Sequence, residues 1–330
     1  MIEVEVLAAS NAADRGLRAL ADLAAAAHGS NYRVIGGHMV HLLNRIYPTT
    51  DSVARVTADA DAGMETVAAA DSALHDALVE RGYRLVTGNH YEAPSGSATP
   101  LSVDLLVPGT SGRPLAKIEY DGRGFDAIPG LNLVLAIDPL DVRVRARLTT
   151  SETLLFEVPV PDVEQAVVLK ALAWRSRLAP KDVTDLCALL VIAHEYRDRL
   201  PEWKLDTPHK GARGDAAKAL FALVSMIDRR RPVDGLTIAP GRLAALIRTH
   251  VADPDVNPNR PGSRTEAGVE VAPDRSGRDA LLSALAAAAA AHAQQPRSAR
   301  TSEPRMGGHS SSGLESAPDP ARKVDPEPGA

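Results

Sequence analysis

Apolar and polar positions in the N-terminal part of the chain alternate between helical and extended patterns. Apolar residues at helical spacing predict helices over 12–27, 38–45 and 65–81. Short apolar runs between them predict strands over 32–35 and 54–64. This alternation of helix and strand favours helices packed on a sheet.

The middle of the chain is rich in short β-branched or alternating runs separated by Gly and Pro. They predict strands over 84–86, 101–107, 115–120, 133–137, 141–148 and 153–158. These strands either continue the first sheet or form a layer on it. Two prolines, Pro159 and Pro161, close this section.

After residue 160 the apolar spacing becomes helical. Helices are predicted over 163–177, 181–196, 214–228 and 241–251. Beyond 252 the composition shifts to Pro, Gly, Ser, Arg and Asp, which predicts disorder, with an isolated Ala-rich helix at 278–293. We therefore expect an α+β fold: a mixed β-sheet with flanking helices over 1–160, a helical domain over 161–252, and a largely disordered tail over 253–330.

Composition narrows the function classes only partly. The chain has 330 residues, 45% of them hydrophobic, and a net charge of −5, so global charge gives no argument for nucleic-acid binding. The single Cys187 excludes an intramolecular disulfide framework and a multi-cysteine zinc site, and its apolar surroundings predict a buried thiol. With no visible signal peptide and no apolar run of membrane-spanning length, we expect a cytoplasmic protein without a membrane partner.

The first candidate site combines a glycine pair with a carboxylate pair. Gly36 and Gly37 stand at a predicted strand-to-helix junction, where backbone N–H groups can approach a triphosphate. Asp59 and Asp61 are two apart on a predicted strand, so both carboxylates face one side, about 7 Å apart along the chain. Such a pair suits Mg²⁺, and two metal ions held this way can assist phosphoryl displacement.

A third carboxylate lies in the run 101–107. Asp104 is its only charged residue, and a charge inside a buried strand is costly unless it is paired or bound to a metal. It could be a third acidic ligand or a base that deprotonates an acceptor hydroxyl. The alternative is a strand-end residue that caps a turn.

The helical half adds charged residues to apolar helices. Lys170 interrupts an apolar helix and could reach a phosphate, while Asp182 and Asp185 lie three apart on one helix face. Asp182 could instead be a partner of the helix dipole. That alternative does not explain Asp185, which lies deeper in the same helix.

Together these segments resemble a known family. The motifs V-I-G-G-H over 34–38, R-V-T-A-D-A-D over 55–61, V-D-L-L-V-P over 103–108 and K-D-V-T-D-L over 181–186 are similar to those of AbiEii/AbiGii-type nucleotidyltransferases. That family belongs to the DNA polymerase β-like nucleotidyltransferase superfamily and often supplies the toxins of toxin–antitoxin pairs. The resemblance covers roughly residues 30–195.

The resemblance implies roles for individual residues of those motifs. It implies a Mg²⁺ site at Asp59, Asp61 and Asp104 and a triphosphate-binding turn at Gly36 and Gly37. It also implies nucleotide binding by Thr57 and Lys170, and a catalytic acidic pair at Asp182 and Asp185. The family's first motif is usually Gly-Ser, whereas this chain has Gly36-Gly37.

The activity implied is transfer of a nucleoside monophosphate from an NTP to an acceptor hydroxyl. The tRNA 3′ end is one candidate acceptor, which would make the protein a translation-blocking toxin with a cognate antitoxin. A small molecule, as in antibiotic-modifying members of the superfamily, is a second candidate. A third reading is a catalytically decayed nucleotide-binding or interaction module, which the Gly in place of Ser favours.

Three further segments offer weaker candidates. His38 and His41 could bind a metal but have no third ligand nearby, so a helix-surface or core role is favoured. Arg143, Arg145 and Arg147 alternate on one strand face and could line a groove for RNA phosphates or form a solvated edge. The segment 122–125 is expected to be a tight turn without chemistry.

Overall fold

A computed structural model describes residues 1–50, 56–109, 117–200 and 203–254. The strands are β1 (Ile2–Leu7), β2 (Tyr32–Val34), β3 (Asp59–Met64), β4 (Arg84–Thr87), β5 (His90–Ala93), β6 (Leu101–Gly109), β7 (Lys117–Tyr120), β8 (Arg123–Pro129), β9 (Leu140–Arg147) and β10 (Thr153–Val160). The helices are α1 (Asn11–Ala26), α2 (Gly36–Ile46), α3 (Thr66–Ala69), α4 (Ser72–Glu80), α5 (Leu131–Leu135), α6 (Val163–Arg177), α7 (Pro180–Glu195), α8 (Gly211–Asp228) and α9 (Pro240–His250).

The larger sheet has seven strands and is mixed in direction. Its main path runs β2-β3-β6-β5-β4, while β8 pairs with β6 and β7 pairs with β8. Strands β3 and β6 are parallel, and β5 is antiparallel to β6. Every second residue of β6, beginning with Leu101, is buried, as expected for a strand with one face on the core.

The smaller sheet has three strands in the order β1-β9-β10, with β1 parallel and β10 antiparallel to β9. Val142, Val144 and Ala146 of β9 are buried, and the arginines between them are exposed. Of the two arrangements that the sequence left open, β6 and β8 continue the first sheet, whereas β9 and β10 belong to a separate one.

Some elements differ from the sequence prediction. The strand predicted over 133–137 is wrong: α5 occupies Leu131–Leu135 and buries Leu131, Val134 and Leu135 at the i, i+3, i+4 spacing of a helix. The helix predicted over 65–81 is two helices, because Asp71 caps α4 through the Ala73 N–H and ends α3. Strands β1, β5 and β8 were not predicted.

The helices after residue 160 pack on one another and on the larger sheet. Helix α6 contacts α7, α8, α5 and β8, and α7 contacts α2.

The described residues belong to one compact unit, Met1–Pro261, and the boundary predicted at residue 160 stays a prediction. Beyond residue 254, the predicted disordered tail and its helix at 278–293 lie outside the described residues. In the part of the chain that the structure describes, no helix is long and apolar enough to cross a membrane.

Candidate functional site

One cleft brings together most of the residues singled out in the sequence. Strands β3 and β6 lie side by side in parallel, with Asp61 in register with Asp104. A cavity of about 310 Å³ opens there. Its lining includes the predicted metal and phosphate residues: Gly36, Gly37, Thr57, Asp59, Asp61, Asp104 and Lys170.

The Asp61 carboxylate rests against the turn between β2 and α2. The main chain of Asp61 accepts a hydrogen bond from the N–H of Ile35, 3.0 Å long. Gly36 follows with a φ of +68°, and a Cβ at Gly36 would overlap Oδ2 of Asp61. The glycine is therefore needed both for its left-handed backbone and for the space that the carboxylate fills.

The electrostatics of the carboxylates reflect their crowding. Burial, followed by repulsion from Asp104, raises the pKa of Asp61 to about 7, although Lys170 acts in the opposite direction. Burial also raises the pKa of Asp104, against a hydrogen bond from His90 that favours the charged form. A nearby cation would stabilise the carboxylate form of both residues and lower their pKa values.

His90 is a neighbour of the site that the sequence did not single out. It lies directly across from Asp104 in the β5–β6 pair. Its Nδ1 lies 2.8 Å from Oδ1 of Asp104, and its Nε2 lies 3.4 Å from Oε1 of Glu92. Burial lowers the pKa of His90, but the bonds to Asp104 and Glu92 outweigh this and raise it overall. The ring therefore holds the Asp104 carboxylate in one orientation.

Lys170 extends from α6 into the cleft and forms ion pairs with two aspartates of α7. Its side chain is only 5% exposed, and Nζ lies 2.7 Å from Oδ2 of Asp185 and 3.8 Å from Oδ1 of Asp182. Asp182 also accepts two bonds from Arg177, at 2.7 and 2.6 Å. Asp182 and Asp185 are thus buried partners of cationic side chains and do not line the cleft themselves.

Three further charged residues in the cleft lining were assigned no role from the sequence. Arg177, the last residue of α6, and Lys181, in the first turn of α7, add positive charge. Asp126 of β8 adds a further carboxylate. Lys181 stood within a recognised motif, but helical charges near a turn are common, so its spacing alone gave no signal.

The donor set fits Mg²⁺ in its chemistry. Asp59, Asp61 and Asp104 offer only carboxylate oxygens, the ligands that Mg²⁺ prefers. Burial, followed by repulsion from the other two carboxylates, raises the pKa of Asp61. Within the described residues, no group of three His, Cys, Asp or Glu side chains is arranged to hold a metal ion as it stands. Asp59, Asp61 and Asp104 as metal ligands therefore stay a proposal.

The remaining candidates lie elsewhere. His38 is buried in α2, and burial together with Arg45 lowers the pKa of His41 to about 4. Arg143 forms ion pairs with Glu157 and Glu3 across the small sheet. Cys187 is buried, as predicted. The turn predicted over 122–125 is wrong in its bounds: the turn lies at Asp121 and Gly122, and β8 begins at Arg123.

Comparison with known proteins gives no functional assignment. No protein-family model and no curated protein matches the chain. A similar solved structure is the crystal structure of JHP933 from Helicobacter pylori, at 10% identity and a TM-score of 0.36, over 74% of this chain and 91% of that one. A similarity this low does not bear on function, so the residues of the cleft must carry any proposal.

Proposed function

We propose that the protein is a Mg²⁺-dependent nucleotidyltransferase that moves a nucleoside monophosphate from an NTP to an acceptor hydroxyl. One observation carries the proposal: a single cleft places Asp59, Asp61 and Asp104 on two adjacent parallel strands together with Lys170 of α6. Carboxylates suit a hard cation, and cationic side chains suit phosphate oxygens, so both parts of a Mg²⁺–triphosphate find partners.

In this reaction the acceptor oxygen forms a bond to the α-phosphorus, and the bond from that phosphorus to the pyrophosphate oxygen breaks. Pyrophosphate leaves with the electron pair, and the acceptor proton goes to a carboxylate, a role that we propose for Asp104. Mg²⁺, when held by Asp59, Asp61 and Asp104, would neutralise charge on the phosphate oxygens. The phosphates would be bound by the first N–H groups of α2, where Gly36 and Gly37 stand.

The cationic side chains have distinct tasks in this scheme. Lys170 is fixed by Asp185 and Asp182, so its ammonium group is preorganised and loses little freedom when a phosphate binds. Arg177 is oriented by two bonds to Asp182. Asp182 and Asp185 thereby act on the nucleotide through the cations that they hold.

The direct test is a transfer assay. Full-length protein is incubated with Mg²⁺, each α-labelled NTP in turn and total tRNA, and label on the RNA is measured. We expect transfer that Asp61→Asn lowers by at least about 100-fold, while Asp76→Asn, an exposed carboxylate on α4, leaves it unchanged. Triphosphate binding without transfer to any acceptor would instead support a nucleotide-binding module.

By the resemblance of its motifs, we further propose the tRNA 3′ end as the acceptor and an AbiEii-like toxin as the biological role, with a cognate antitoxin as partner. A small-molecule acceptor is distinguished in the same assay, because label would then appear on an added aminoglycoside-type substrate and not on tRNA.

A further inference from the structure

Thr57 contacts two helices, α1 through its backbone and α2 through its side chain. Its carbonyl oxygen abuts Gly16 of α1, where a Cβ would overlap it, and its side chain abuts Gly37 of α2. A Cβ at Gly37 would lie 2.6 Å from Oγ1 and 2.8 Å from Cβ of Thr57. A glycine on each helix is therefore what allows Thr57 to occupy this position.

This position is inside the cleft. Thr57 and Gly37 both belong to the cavity lining, together with Asp59, Asp61 and Lys170. Gly37 stands in the first turn of α2, whose cap residue Ile35 makes no side-chain cap bond. The leading N–H groups of a helix have no partner within it and suit anions. The Thr57 hydroxyl thus lies against the turn where the triphosphate is expected.

We propose that Thr57 and Gly37 act as a matched pair, in which the Thr57 hydroxyl hydrogen-bonds the triphosphate and the missing side chain at Gly37 provides its space. The inference rests on the proposed function and adds to it the side-chain hydroxyl of the phosphate site. A hydroxyl-bearing residue at position 37 would compete with Thr57 for the same space, so the site accommodates one of the two.

The pair makes a reciprocal prediction. Thr57→Val keeps the shape but removes the hydroxyl, and we expect NTP affinity to fall by about 10- to 100-fold, as for a lost hydrogen bond to a charged group. Thr57→Ser should bind like the wild type. Gly37→Ser alone should crowd Thr57 and weaken binding, because the new Cβ would lie 2.8 Å from Cβ of Thr57. Gly37→Ser combined with Thr57→Gly should recover it, because the whole overlapping side chain is removed and one hydroxyl remains.

The experiment is calorimetric titration of the full chain with each NTP in the presence of Mg²⁺. Thr87→Val, an exposed threonine on β4, is the control and should not change the affinity. If the wild type binds an NTP and Thr57→Val binds equally well, the pair is overturned while the proposed function stands. If the wild type binds none of the four NTPs, both are overturned. Failure of the double variant to regain affinity, with its fold intact by circular dichroism, would also reject the pairing.

Discussion

Gly36 and Asp61 come from different elements, yet the space left by the missing side chain of Gly36 is filled by Oδ2 of Asp61. This contact places the proposed metal-binding strand directly on the proposed phosphate-binding turn. The two halves of a Mg²⁺–triphosphate would therefore be recognised by groups that touch each other.

The contact can be tested by comparing two glycines. Gly29 has a φ of +83° with open space around it, so Gly29→Ala should cost only the backbone strain of about 1–2 kcal/mol in the free energy of unfolding. Gly36→Ala should cost about 1–3 kcal/mol more, because its methyl group overlaps Asp61. Urea denaturation measures both. Equal losses would mean that the carboxylate moves aside freely.

Asp61 should make stability depend on pH. Burial raises the pKa of Asp61 from its ordinary value of 3.8 to about 7 in the folded protein. Because the folded state holds the proton more tightly, the free energy of unfolding should fall as pH rises from about 4 to about 7 and then level off. Asp61→Asn should lack this decline. We would compare thermal unfolding of both proteins across this range in EDTA; parallel curves would contradict the raised pKa.

The same proton opposes metal binding. Mg²⁺ requires the carboxylate form, so its affinity for the wild type should increase as pH rises through about 7, with proton release. Calorimetry in two buffers of different ionisation enthalpy detects that proton. A Mg²⁺ affinity that does not change between pH 6 and 8 would argue against Asp61 as a ligand.

His90 should matter through Asp104. We expect His90→Ala to lower Mg²⁺ affinity by about 10- to 100-fold, since it loses the bond that orients Asp104, a carboxylate proposed as a Mg²⁺ ligand. His90→Asn, whose amide can replace Nδ1–H, should recover part of the loss. His28→Ala, at an exposed position, is the control. Unchanged Mg²⁺ affinity in His90→Ala would remove the orienting role.

Lys170 should contribute far more to stability than a surface lysine. Lys170→Met leaves Asp185 buried without this cation and should cost about 3–5 kcal/mol. Lys218→Met removes an exposed lysine, 63% accessible, from Asp215, and should cost at most about 1 kcal/mol. Chemical denaturation of the two variants gives the comparison. Similar small losses would show that the buried pair is not coupled to folding.

The toxin proposal has its own test. Expression in a bacterial host should arrest growth, and Asp59→Ala should relieve the arrest at equal protein levels. Asp76→Asn should remain toxic. Normal growth at high expression of the wild type would reject the toxin role and leave the transferase proposal to the labelled-NTP assay.

The sequence predicted local features of the cleft better than its long-range ones. Strand alternation was enough to place Asp59 and Asp61 on one strand two residues apart, and the helical spacing placed Asp182 and Asp185 on α7. Neither pattern determines the register in which two strands pair. The alignment of Asp61 with Asp104 depends on how β3 and β6 pair, which no local pattern encodes.

The contacts of His90 and Arg177 were also missed because local sequence patterns do not determine them. β5 is only four residues long and its pattern of alternate burial is too short to distinguish from a loop, so His90 was not placed beside Asp104. Arg177 meets Asp182 because Leu178 takes a left-handed conformation, with φ of 50°, between α6 and α7. A leucine gives no sign of that conformation in a sequence.

The order of these elements along the chain has a consequence for biosynthesis. β3 and β6 precede α6, so the carboxylates of Asp61 and Asp104 leave the ribosome before Lys170 and Arg177 do. A nascent chain that has completed only the larger sheet would hold Asp61 and Asp104 without Lys170 and Arg177. If the proposed function holds, the cleft would bind a triphosphate only after α6 and α7 have been synthesised and packed, so incomplete chains would be inactive during translation.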